Sequence, residues 1–78
     1  MLTIYDFNGM DDTGKGNPVF QEGTFIDNRN EAGLKVQLYR LYSFYVEIFY
    51  HTEANEIIRY RAFKSIRQLA PYIKLADN

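Results

Sequence analysis

The chain contains no cysteine. That excludes a disulfide scaffold, a thiolate metal site and a cysteine nucleophile. It has a single histidine, His51, so a multi-histidine metal centre is excluded as well. No charge sign dominates. Nine Lys and Arg face ten Asp and Glu, a formal net charge of -1, so no strong field draws the whole chain towards a polyanion. No apolar run approaches the roughly 18 residues of a membrane span. Met1-Leu2-Thr3-Ile4-Tyr5-Asp6 lacks the basic and apolar regions of a signal peptide. A cytoplasmic protein with no cofactor and no membrane partner is expected. Aromatic side chains are plentiful: seven Tyr and six Phe make up 17% of the chain, too much apolar surface for a disordered polymer. With 78 residues, the chain reads as one small domain.

The two halves differ. Residues 1–34 hold two basic groups, Lys15 and Arg29, against six acidic ones, a net of -4. Residues 35–78 hold seven basic groups against four acidic ones, a net of +3. All five glycines and Pro18 lie in the first half, and such residues break regular structure. Residues 1–33 therefore read as an acidic, loop-rich third, with short strands at most over 2–6, 19–21 and 24–27.

The second half is patterned for strands. Residues 44–51 and 57–63 are rich in aromatic and β-branched side chains. A three-residue loop, Glu53-Ala54-Asn55, with Asn55 in the left-handed region, sets a register in which Glu47 faces Arg61, Ile48 faces Tyr60 and Phe49 faces Arg59. Residues 34–40 alternate and form a third strand. A loop at Leu41-Tyr42-Ser43 pairs Val36 with Ile48 and Leu38 with Val46, which joins the apolar side chains of 34–40 to the apolar face of the hairpin. A two-residue loop would pair Val36 with Phe49 and put Lys35 and Gln37 on the greasy side. The first register is the expected one. Ser65 and Gln68 then form a capping box, and Ile66, Leu69, Ala70 and Ile73 make one apolar stripe. The expected fold is α+β: a three-stranded antiparallel meander (about 34–40, 44–51, 57–63) with a short helix (about 66–75), kinked at Pro71, on its apolar face.

The other sheet face carries Tyr39, Tyr45, Phe49, Ile57, Arg59, Arg61 and Phe63. With one short helix spent on the apolar face, this second face lacks cover. Apolar surface of that kind on a small protein marks a partner site, although alternating rings and charges also describe an ordinary solvated face, or one covered by residues 1–33. The expectation is a non-enzymatic protein-interaction module, self-associating as a homodimer through this face or through the edge strand 57–63. The alternative is a weak single-stranded nucleic-acid binder, with bases stacking on the rings between Arg59, Arg61 and Lys35.

Two motifs mimic chemistry. Gly9 to Lys15 matches G-x-x-x-x-G-K, but Gly16 stands where a magnesium-holding Ser or Thr belongs, Asn17-Pro18 follows, and Asp11 and Asp12 would repel phosphate. Asp11 to Glu22 has the length of a calcium loop, but Lys15 occupies a ligand position. Both read as turns. His51 and Ser43 sit at opposite ends of one strand, too far apart for a hydrogen bond, and no catalytic constellation is expected.

Overall fold

The computed structural model describes residues 1–73. The chain runs α1 (Ile4–Asn8), α2 (Asp12–Glu22), β1 (Thr24–Glu31), β2 (Leu34–Leu41), β3 (Phe44–His51), β4 (Glu56–Phe63) and a 3-10 helix (Ile66–Tyr72). It is a small α+β fold. The sheet is antiparallel, in the order β1-β2-β3-β4.

Three expectations are corrected. The meander has four strands, not three, because residues 24–31 pair with β2 through the tight turn Ala32-Gly33, where both residues take positive φ (50° and 81°). The first third is not loop-rich. Thr3 and Asp6 form a reciprocal capping box for α1, each side chain accepting from the other's backbone N–H at 3.1 Å. Asp11 caps α2 by accepting from Gly14 N at 2.7 Å, and the helix holds two glycines and Pro18 by packing Val19 into the core. The C-terminal helix is 3-10 and lies on the opposite face from the one expected. Pro71 denies an α-helix one backbone bond. Ser65 caps this segment, accepting from Arg67 N at 3.2 Å, while Gln68 N bonds to Ser65 O. Residues 74 and 75 of the expected helix lie outside the described residues.

The β2–β3 register is also corrected. Leu41 pairs with Phe44 across the two-residue turn Tyr42-Ser43, with Tyr42 at φ 57°, so Val36 faces Phe49 and Tyr39 faces Val46. The β3–β4 register is as expected over its inner part: Glu47 faces Arg61, Ile48 faces Tyr60 and Phe49 faces Arg59. Asn55 takes φ 54°, but the connection is four residues long, Thr52 to Asn55, and a bulge beyond Phe49 absorbs the extra residue, pairing Tyr50 with Ile57 and His51 with Glu56.

These registers make a sheet buried on both sides. On one face Leu41, Phe44, Val46 and Ile48 pack with Phe7 of α1 and Val19 of α2. The Phe7 ring sits 5.7 Å from Phe44 and edge-on to Tyr60. Gly16 lets α2 approach closely, since a Cβ there would lie 3.0 Å from the Tyr60 hydroxyl. On the other face Val36, Leu38, Phe49 and Phe63 are buried, and the 3-10 helix packs on β1 at that side.

Candidate functional site

The second face is built around a charge. Glu47, in the middle of β3, is fully buried, and it is the one charged residue in the core among the described residues. Its Oε1 accepts from Arg61 Nη1 at 2.5 Å. Its Oε2 accepts from Arg29 Nη2 at 3.1 Å and from the Tyr72 hydroxyl at 2.6 Å. β1 positions Arg29, β4 positions Arg61, and the 3-10 helix brings Tyr72 down from above. Arg29 also bonds Glu31 Oε1 at 2.5 Å. Three elements are thus tied to one carboxylate.

The titrations follow from this geometry. Burial works to lower the Arg29 pKa, but the Glu31 and Glu47 carboxylates outweigh it and hold the guanidinium above its usual range. Burial, then the hydrogen bond to Glu47, pushes the Tyr72 phenol up. The bond to Arg29 holds Glu31 below the usual carboxylate range.

Of the seven residues expected at a partner site, five share this face: Tyr45, Phe49, Arg59, Arg61 and Phe63. The β2 register carries Tyr39 to the helix-covered face, and the bulge carries Ile57 there beside Tyr50. Phe49 and Phe63 are buried. The Arg59 guanidinium lies 3.9 Å from the Phe49 ring centroid, and Arg61 lies 5.2 Å from that of Phe63. Tyr45 stacks on Phe63 with centroids 5.5 Å apart. The face is therefore closed rather than open, and Phe49 stands between Val36 of β2 and Arg59 of β4.

A second cluster forms where none was expected. Phe20 at the end of α2 and Phe25 at the start of β1 both meet the Tyr39 ring edge-on, at 6.2 and 5.6 Å. Phe20, Phe25 and the bulge residue Ile26 are 57%, 49% and 46% exposed. Phe25 and Ile26 belong to β1, whose outer edge no strand covers among the described residues, and Phe20 joins them from α2 at the Tyr39 ring. Its signal in the sequence is the pair of apolar dipeptides Val19-Phe20 and Phe25-Ile26 on either side of Gly23.

The phosphate-loop mimic is a helix start whose Gly14 N–H is taken by Asp11. His51 Nδ1 accepts from Ala54 N at 3.0 Å, and Tyr50 donates to Asn55 Oδ1, so both side chains hold the β3–β4 turn. Among the described residues no group of three His, Cys, Asp or Glu is placed to hold a metal, and no helix is long and apolar enough to cross a membrane.

No family model matches this chain, and no curated protein or solved structure is significantly similar to it.

Proposed function

We propose that the protein is a non-enzymatic interaction module that self-associates through the edge of β1. The observation that carries this reading is the half-exposed cluster of Phe20, Phe25 and Ile26 beside an unpaired strand edge. Edge strands present a row of free backbone donors and acceptors to a second chain, and an adjoining apolar patch adds the driving force.

Charge favours β1 over β4 for pairing two copies about a two-fold axis. A β4 pair centred on Tyr60 sets Arg59 opposite Arg61 of the second copy, and like charges directly opposed destabilise a ladder. A β1 pair centred on Asn28 sets Asp27 opposite Arg29 of the second copy, an attractive arrangement repeated twice by symmetry. The two Phe25 clusters then lie on the same side of one continuous sheet.

Sedimentation equilibrium over the micromolar range tests this. The expected result is a wild-type dimer that becomes monomeric in Phe25→Arg, with unchanged circular dichroism because Phe25 is half-exposed. A wild-type monomer throughout the range overturns the reading. So does a dimer that survives both Phe25→Arg and Asp27→Arg.

A further inference from the structure

We infer that residues 65–73 form a latched strap, and that the sheet face beneath it binds single-stranded nucleic acid when the strap lifts. The 3-10 helix buries none of its own residues, and Ile66 and Ile73 at its ends are 74% and 57% exposed. Its polar tie to the sheet is the Tyr72 hydroxyl on Glu47, with the Arg29 guanidinium 5.4 Å from the Tyr72 ring centroid. A segment held this way opens locally at lower cost than the strands below it.

Beneath and beside the strap lie ring and guanidinium in alternation. Arg59 sits over Phe49, Arg61 over Phe63, and Arg40 lies 6.0 Å from the Tyr45 ring centroid. Arg59 and Arg61 are two residues apart on one face of β4, roughly 7 Å at strand rise, and an extended phosphodiester chain can follow that step while its bases reach the rings. Charge selects the ligand. From β4 through the strap, residues 56–73 carry Arg59, Arg61, Lys64 and Arg67 against Glu56 alone, whereas residues 1–23, on the helix side, carry four acidic groups against Lys15. A polyanion therefore approaches on the β4 and strap side. Arg29 Nε is buried there with no hydrogen-bond partner among the described residues, a donor left unused in the closed form. With the strap lifted, Arg29 and Arg61 keep Glu47 neutralised, and the Arg29 guanidinium, 5.4 Å from the Tyr72 ring centroid and 5.9 Å from that of Phe49, loses its cover and opens the way to the Phe49 ring.

Fluorescence polarisation with a short labelled oligothymidylate at low salt, paired with amide hydrogen exchange, tests the inference on the full chain. Tyr72→Phe removes the latch hydroxyl and keeps the ring. It is expected to speed exchange across residues 65–73 and to tighten oligonucleotide binding about tenfold. Adding Arg59→Ala is expected to remove that gain, and raised salt to weaken binding as counterions are retained. Unchanged exchange in Tyr72→Phe overturns the latch. Faster exchange with unchanged affinity, or a gain that survives Arg59→Ala, overturns the hidden stacking face. None of these outcomes bears on the β1 edge, which lies outside the variants.

Discussion

Replacing Glu47 with alanine is expected to destabilise the protein by about 3 kcal/mol. Breaking a buried ion pair by removing one partner costs roughly 3–5 kcal/mol, because the surviving charge is left desolvated. The geometry sets the value near the lower end. Arg61 is 35% exposed and can turn to water, whereas Arg29 is only 17% exposed. Arg29 keeps Glu31 as a partner, which removes part of its penalty. The Tyr72 hydroxyl also loses its acceptor, on a residue that is only partly buried. A 78-residue domain has a total stability of roughly 4–12 kcal/mol at about 0.05–0.15 kcal/mol per residue, so this one change removes a quarter or more of it. With a urea m-value of about 1 kcal/mol/M, the unfolding midpoint falls by about 3 M. Arg61→Ala, removing the more exposed partner, is expected to cost about 1 kcal/mol by the same reasoning. Urea melts followed by circular dichroism measure both. If Glu47→Ala shifts the midpoint by less than the equivalent of about 1 kcal/mol, or costs no more than Arg61→Ala, the carboxylate is not the hub of this face.

Phe49→Glu, which an open face would tolerate, is expected to unfold the protein, because Phe49 is 1% exposed on the same face as Glu47; loss of a cooperative thermal transition reports it. Ala32→Asn is expected to raise stability by about 0.5–1 kcal/mol in a urea melt, since Ala32 holds φ 50° ahead of Gly33 in a turn that favours Asn-Gly. The Tyr72 phenol is raised by burial and then by Glu47, so its folded value exceeds its unfolded one; its contribution is whole below pH 10.0 and is lost as pH rises above that value. Wild type should therefore lose stability in alkali relative to Tyr72→Phe, read from paired thermal melts across that range.

The β3–β4 hairpin was legible because its cues are local. Glu47 opposite Arg61, the apolar alternation and Asn55 at φ 54° agree with one another. The β2 register is not legible in the same way, because the sheet has two greasy faces rather than one. With both faces buried, Val36 and Leu38 serve the strap side, while Tyr39 and Leu41 serve the helix side. Apolar pattern alone cannot choose between those solutions. The helix α2 was hidden by its composition, since Gly14, Gly16 and Pro18 argue for a loop. Tertiary packing of Val19 and the close approach of Gly16 to Tyr60 override that propensity. The hairpin register alone puts Arg59, Arg61, Phe49 and Phe63 on one sheet face. Arg29 and Tyr72 were not foreseen there, because their meeting at Glu47 spans 18 and 25 residues of sequence.

The central position of β3 gives Glu47 a role separate from its energy. Phe44, Val46, Ile48 and Phe49 are all buried, so the strand is greasy on both sides and could slide by one residue with little loss of apolar contact. Such a slide would swing Glu47 out of reach of Arg29, Arg61 and Tyr72 and into the layer lined by Phe7 and Val19. An unpaired carboxylate there would cost several kcal/mol. Glu47 thereby acts as the notch on a key: it makes one alignment of the central strand tolerable and its neighbours forbidden, a specificity that hydrophobic packing alone does not provide in this sheet.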